Sequence, residues 1–120
     1  MAVPSCLVLG VGIEPGTPLA HLEEAVDALG LTGVDVVATI ETRAAEPAVL
    51  ALAAGRTLRT YPAAALDTVD VPTPSAVVRR LTGTGSVAEA AALLAARELG
   101  GGELVTPKQR GRGVTVAVAR

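Results

Sequence analysis

Short apolar runs alternate with amphipathic stretches along the first half of the chain. Residues 6–12 are a continuous apolar run that ends in glycines, a pattern typical of a strand that is buried on both faces, and residues 34–40 read as a second buried strand in which Asp35 and Thr39 are the polar positions. Between them, leucine and valine recur at helical spacing over residues 19–29, and the preceding Thr17-Pro18 pair predicts a helix that Thr17 caps. Strand, helix and strand over this length predict a right-handed parallel crossover.

The alternation continues through the middle of the chain. Glu46-Pro47 predicts the start of a second helix, which ends near residue 54. Residues 57–61 then read as a strand, and residues 62–66 read as a single helical turn. The prolines at 72 and 74 predict an extended stretch, after which Ser75 caps a short helix that ends near residue 81.

A glycine-rich turn then leads into an alanine-rich helix, with the sequence GTGSVAEAAA at residues 83–92. Ser86 and Glu89 have the spacing of a capping box. Glycine lets a ligand approach the main chain closely, and the helix amides favour an anion such as a carboxylate or a phosphate. A well-capped helix after an ordinary loop explains the same motif, so both interpretations stay open. The inner stripe of this helix is predicted to be Val87, Ala90, Ala91 and Leu94.

The chain closes with two strand-like segments, residues 103–106 and 114–119, on either side of a basic loop at 107–113. The elements together predict an α/β fold: one three-layer α/β/α domain over residues 1–120. Its sheet is expected to be mixed and mostly parallel, with a C-terminal antiparallel hairpin.

Composition narrows the function classes. Half of the residues are hydrophobic, but there is one Tyr and neither Phe nor Trp, so the core is aliphatic and single-stranded nucleic acid has no aromatic platform on which to stack. No apolar run approaches the roughly 18 residues of a membrane span, and no signal peptide opens the chain. We therefore expect a cytoplasmic protein with neither a nucleic-acid nor a membrane partner.

The chain carries few residues for metal or cofactor chemistry. Cys6 is the single Cys, which excludes an intramolecular disulfide and a cysteine metal cluster. His21 is the single His, which excludes a histidine-rich metal site and argues against a Ser-His-Asp triad. Gly10 and Gly12 begin a dinucleotide fingerprint, but Pro15 occupies the position of its third glycine. We predict no metal and no cofactor.

Charge and topology together suggest an anion site. Residues 1–60 hold seven acids and three bases, whereas residues 61–120 hold five acids and seven bases. Turns at residues 10–16 and 39–46 follow parallel strands and should share one edge of the sheet, and the turn at 83–89 would join them. Lys108, Arg110 and Arg112 could add cations nearby. Such a site suits an organic ligand that carries several carboxylates.

The order of these motifs resembles the CobE / CbiG C-terminal domain family of cobalamin biosynthesis. The resemblance rests on GVG at residues 10–12, ATIE at 38–41, EP at 46–47, VPTPS at 71–75, the 83–92 block and PKQ at 107–109. It implies a three-layer domain that acts around ring contraction and takes a corrin-type tetrapyrrole intermediate, which carries acetate and propionate arms. In the family, the longer CbiG proteins open the lactone of cobalt-precorrin-5A and release acetaldehyde, whereas this chain looks more like stand-alone CobE.

We therefore expect a cobalamin biosynthesis protein that binds or processes a corrin intermediate. A cobalt-precorrin-5A hydrolase, and a non-catalytic module that contacts other enzymes of the pathway, are the alternatives. Glu41 is the candidate proton acceptor, because Glu89 is committed to the capping box. The candidate ligand-binding residues are Gly10, Gly12, Thr39, Glu41, Arg43, Gly83, Thr84, Gly85, Ser86, Glu89 and Lys108.

Overall fold

A computed structural model describes residues 7–31, 33–69 and 87–120. These residues form a five-stranded sheet in the order β3-β2-β1-β5-β4. β1 is parallel to β2, β2 is parallel to β3, and β5 runs antiparallel to both β1 and β4. The predicted mixed sheet with a C-terminal hairpin is thereby confirmed. The strands are β1 (Val8–Ile13), β2 (Val36–Ile40), β3 (Thr57–Tyr61), β4 (Leu104–Arg110) and β5 (Val114–Ala119).

Helices cover both faces of the sheet, which confirms the predicted three layers. The α-helices of the described ranges are α1 (Leu19–Asp27), α2 (Pro47–Ala53), α3 (Ala63–Leu66) and α4 (Val87–Glu98). A short 3-10 helix, Glu41–Arg43, joins β2 to α2. One core lies between the sheet and α1 and α2, and the other lies between the sheet and α3 and α4.

The central strand β1 supplies side chains to both cores, because successive residues of a strand point to opposite faces. Leu9 and Val11 pack toward α1 and α2, whereas Val8 packs toward α3 and α4. Gly10 shares the Val8 face, where a methyl group would lie 1.8 Å from the carbonyl oxygen of Ala88. The absent side chain therefore lets α4 approach the sheet closely.

Two predictions about the helices are wrong. α1 begins at Leu19 with Pro18 at its N-cap, and the Thr17 hydroxyl donates to the Glu14 carbonyl at 2.8 Å, so Thr17 closes the preceding loop rather than capping the helix. The buried face of α4 is also broader than its predicted stripe, because the helix contacts every strand of the sheet. Its buried residues are Ala88, Glu89, Ala90, Ala91, Ala92, Leu93, Ala95 and Ala96, with Val87 and Leu94 half-buried.

The predicted basic loop at 107–113 is wrong in its first half. β4 continues to Arg110, and the hairpin turn covers only residues 111–113. Pairing with β5 extends the strand through Gln109 and Arg110 despite Pro107, because edge strands tolerate proline.

Some predictions fall outside the described residues. They include the extended proline stretch, the Ser75 helix and the glycine turn with its Ser86 cap. The extent of the domain, residues 1–120, stays a prediction. Of the helices that the structure describes, none has the length and apolar character needed to cross a membrane.

Candidate functional site

An open cleft of about 390 Å³ lies at the carboxyl ends of β1 and β2, where the hairpin turn and the start of α4 also meet. We call it the edge cleft. Its position agrees with the tendency of open α/β sheets to bind ligands beyond the carboxyl ends of their strands. The residues that line it are Gly12, Ile13, Glu14, Ile40, Thr42, Arg43, Val87, Arg110, Gly111, Gly113, Val114 and Thr115.

The hairpin turn is fastened to the loop after β1. The Glu14 amide donates to the Gly113 carbonyl at 2.9 Å, and the Thr17 hydroxyl lies 3.4 Å from the same oxygen. Gly113 adopts a φ of 73°, and a methyl group there would meet the Thr17 hydroxyl oxygen at 2.8 Å. The positive φ therefore favours glycine at this turn.

Arg43 ties the loop after β2 to the end of β1. The 3-10 helix brings its side chain across, so that Nε donates to the Ile13 carbonyl at 2.9 Å, while Nη1 lies 3.4 Å from the Thr42 carbonyl. The Glu46 carboxylate accepts the Gly16 amide at 2.9 Å in the same region. The two loops thus share one edge of the sheet, as the sequence predicts, and the guanidinium keeps further N–H groups for a ligand.

Arg110 is the second guanidinium of the edge cleft, at the end of β4. In the three described ranges it has no hydrogen-bond or ion-pair partner. Of the other two predicted cations, Arg112 pairs with Glu24 at 2.6 Å and Lys108 does not line the cleft.

Glu89 lies completely buried in the first turn of α4. Its Oε2 accepts the Lys108 backbone amide at 3.0 Å, which links α4 to β4. Lys108 falls between Thr106 and Gln109, where the pairing of β4 with β5 shifts register. Glu89 also has another polar contact, and the Ser86 half of the predicted capping box lies outside the described residues.

The other predicted site residues that the structure describes are not among those that line the cleft. Gly10 is buried beneath α4, and the hydroxyl of the fully buried Thr39 donates to the Val11 carbonyl at 2.7 Å. Glu41 is exposed and does not line the cleft. Of the candidate ligand-binding residues, the structure brings together Gly12 and Arg43. Gly83, Thr84, Gly85 and Ser86 fall outside the described residues.

Glu14, Thr42 and Thr115 line the cleft, although none of the three was predicted from the sequence as a ligand-binding residue. Thr115 carried a usable signal, since it is the one polar position in the apolar run of β5. Thr42 lies in the 3-10 helix after β2 and Glu14 in the loop after β1, and only the folded chain shows that both segments face the cleft. Among the described residues, no three His, Cys, Asp or Glu side chains gather as a metal site.

A second polar group lies between the edge strand β3 and the end of α4. The Tyr61 hydroxyl donates to Glu98, and Arg59 Nη1 pairs with the same carboxylate oxygen at 3.1 Å. Burial, followed by the hydrogen bond to Glu98, raises the pKa of Tyr61 well above its usual value. Because Tyr61 pairs with Ile40 at the carboxyl end of β2, the group stands at the β3 side of the sheet and outside the edge cleft.

Comparisons with known proteins point to one family. The family model described as cobalamin synthesis G C-terminus matches residues 7–119. The crystal structure of CobE, a protein from the cobalamin (vitamin B12) biosynthetic pathway, is similar with 35% identity and a TM-score of 0.86, over 100% of this chain and 96% of that one. The cobalamin biosynthesis protein chiG from Agrobacterium tumefaciens str. C58 shows 29% identity and a TM-score of 0.58, over 93% of this chain and 95% of the other. No curated protein sequence matches.

Proposed function

Since the chain belongs to the cobalamin synthesis G C-terminal family, we propose that it binds a corrin-type tetrapyrrole intermediate in the edge cleft. Membership of the family makes it a cobalamin biosynthesis protein. The proposal adds the ligand, the place where it binds and the chemical groups that are recognised.

The observation that carries the proposal is the pair of arginines in the edge cleft. Corrin intermediates carry several acetate and propionate arms, and a guanidinium binds a carboxylate through two parallel N–H donors. Arg110 has no competing partner within the described residues, and Arg43 keeps N–H groups beyond those aimed at carbonyl oxygens. Among the described residues of the lining, Glu14 is the one acid, so the two cations outnumber it there.

Binding is favoured over complete catalysis by the position of Glu41. Opening a lactone needs a proton acceptor within hydrogen-bond reach of the attacking water. Glu41 is not among the residues that line the cleft, and its role as a proton acceptor stays a prediction from the sequence. The glycine turn at residues 83–86 remains a proposed part of the anion site.

Titration with hydrogenobyrinic acid, followed by visible absorbance, tests the proposal. We expect a saturable spectral change at micromolar concentrations. Arg110→Ala removes a charge-assisted contact worth about 1.5–3 kcal/mol, and should weaken binding about tenfold or more.

Arg112→Ala is the matched control, because this arginine lies two residues away and pairs with Glu24 outside the cleft. It should bind like the unaltered chain. Absence of saturation, or equal losses in both variants, would contradict binding in the edge cleft.

A further inference from the structure

We infer that the edge cleft recognises two neighbouring carboxylate arms on the rim of the ligand, and that the macrocycle face and any metal at its centre stay outside the protein. This inference rests on the proposed function. It specifies which part of the ligand the protein contacts.

The two arginines lie on opposite sides of the cleft. Arg43 follows β2 and Arg110 ends β4, and in the sheet β1 and β5 lie between those strands. Neighbouring strands lie about 4.8 Å apart, so three spacings separate the two backbones by roughly 14 Å. Arg43 extends inward to the Ile13 carbonyl of β1, which shortens the gap between the guanidiniums. This arrangement suits two acid arms held side by side.

The cleft is small for a whole tetrapyrrole. Its volume of about 390 Å³ lies near the lower end of the range of roughly 300–1,000 Å³ that is usual for drug-sized ligands. Four linked rings with all their acid arms form a larger molecule than that. One ring and its arms can enter, and the remainder of the macrocycle projects into solvent.

The side chains of the described lining suit the acid arms of the ligand better than its ring face or its centre. None of the described residues that line the cleft is aromatic, so no side chain there offers a platform for the macrocycle face. None is His, Cys or Met, so the lining offers no nitrogen or sulfur side-chain ligand to a central metal. The floor consists of small groups from β1 and β5, among them Gly12 and Thr115, which leaves the two arginines as the charged donors.

The affinity for a corrinoid should therefore depend on the charge of its acid arms and should not depend on whether a metal occupies the centre of its ring. An amide in place of a carboxylate removes the charge from the Arg contact, and such contacts are about twice as strong as neutral ones. We expect hydrogenobyrinic acid and its cobalt counterpart, cobyrinic acid, to bind within about threefold of each other. A derivative whose arms are primary amides should bind at least about tenfold more weakly, equivalent to about 1.4 kcal/mol.

Porphobilinogen supplies the sharpest probe, because it is a single pyrrole with one acetate and one propionate arm. It should displace hydrogenobyrinic acid in the absorbance titration, with weaker affinity because fewer contacts form. In the nitrogen-15 NMR spectrum of the labelled protein it should shift the amides of Gly12, Gly113 and Thr115. Arg110→Ala should weaken porphobilinogen and hydrogenobyrinic acid by similar factors, whereas Arg112→Ala should change neither.

The outcomes separate the inference from the proposed function. Three results would overturn recognition by the rim while corrin binding stands. Hydrogenobyrinic acid binds but porphobilinogen does not compete with it, or cobalt changes the affinity by much more than the expected factor, or amidation of the arms leaves the affinity unchanged. If no corrinoid binds, both fall. Binding of every ligand with no loss in Arg110→Ala would locate the contact elsewhere and overturn the inference as well.

Discussion

At the residue scale, the two glycines of β1 have different roles although they belong to one Gly-Val-Gly motif. A methyl group at Gly10 would meet the Ala88 carbonyl oxygen at 1.8 Å and the Ala92 methyl at 2.9 Å, whereas at Gly12 the nearest atom lies at 3.6 Å. Backbone cannot move aside as a flexible side chain can. Gly10→Ala should therefore lower the free energy of unfolding by about 3 kcal/mol or more, the upper end of overpacking effects, in urea denaturation followed by circular dichroism.

Gly12→Ala and Gly33→Ala are the controls for this prediction. The added methyl makes ordinary contacts at Gly12 and has nothing within 4 Å at Gly33, and neither glycine has a positive φ. Both variants should change the free energy of unfolding by less than about 1 kcal/mol. A Gly10→Ala variant as stable as these two would mean that α4 does not lie so close to β1.

Tyr61 should make the free energy of unfolding fall as the pH rises through the alkaline range. Because burial and Glu98 raise its pKa above the ordinary value of 10.0, the folded chain keeps the phenol proton after the unfolded chain has released it. The unfolded state then binds fewer protons, so the free energy of unfolding falls as pH rises above about 10, by up to about 1.4 kcal/mol per pH unit. Urea denaturation across this range should show the fall, and Tyr61→Phe should reduce it.

The ionisation itself can be followed directly. Tyr61 is the single Tyr of the chain and there is no Trp, so tyrosinate absorbance reports this one side chain. A folded-state midpoint near the ordinary pKa of Tyr61 would contradict the buried contact with Glu98.

At the element scale, β4 is shaped by its contact with α4. Its pairing with β5 shifts register between Leu104 and Thr106, and again between Thr106 and Gln109. Each shift reverses which face the following side chains occupy, so the second one decides where Arg110 points. Glu89 accepts an amide within this second shift, and we therefore expect it to hold the irregular strand in place.

Glu89→Ala tests that expectation. The Lys108 amide loses a buried acceptor, so its hydrogen exchange should accelerate at least about tenfold and the free energy of unfolding should fall by about 1–3 kcal/mol. Glu89→Gln keeps an oxygen that accepts the amide, and should exchange much more slowly than Glu89→Ala. Equal exchange in the unaltered chain and in Glu89→Ala would show that the carboxylate does not fix β4.

Elements formed by local pattern were predictable, and elements formed by distant contacts were not. Neighbouring residues alone predict the apolar strands β1, β2 and β5 and the start of a helix at Pro47. The structure has all four close to the predicted bounds. The second half of β4 reads as a loop because Pro107 and Lys108 disfavour strands. It becomes a strand only through β5 and Glu89, which no local pattern reveals.

At the scale of the whole molecule, topology explains how much of the candidate site the sequence predicted. Parallel strands end at a common edge, so the turns after β1 and β2 could be assigned to one site before any geometry was known. Arg110 could be named from the sequence as a cation near the site, but only the antiparallel pairing of β5 with β1 and β4 shows that Arg110 and Thr115 line the cleft and that Lys108 does not. Thr39 is a polar residue near the end of β2 and so was predicted as a site residue. In the structure its side chain is buried, and its hydroxyl donates to the Val11 carbonyl of β1.

The order of strands also has a consequence for how the chain folds as it is synthesised. β1 is the first strand of the described chain, yet its second neighbour is β5, which follows all other strands. Until β5 emerges from the ribosome, β1 keeps a bare edge of unpaired amides and carbonyls beside apolar side chains, the kind of surface that recruits other unfinished chains. Non-local pairing of this kind is also slow to form. Nascent chains that stall before Val114 should therefore be the species that chaperones capture.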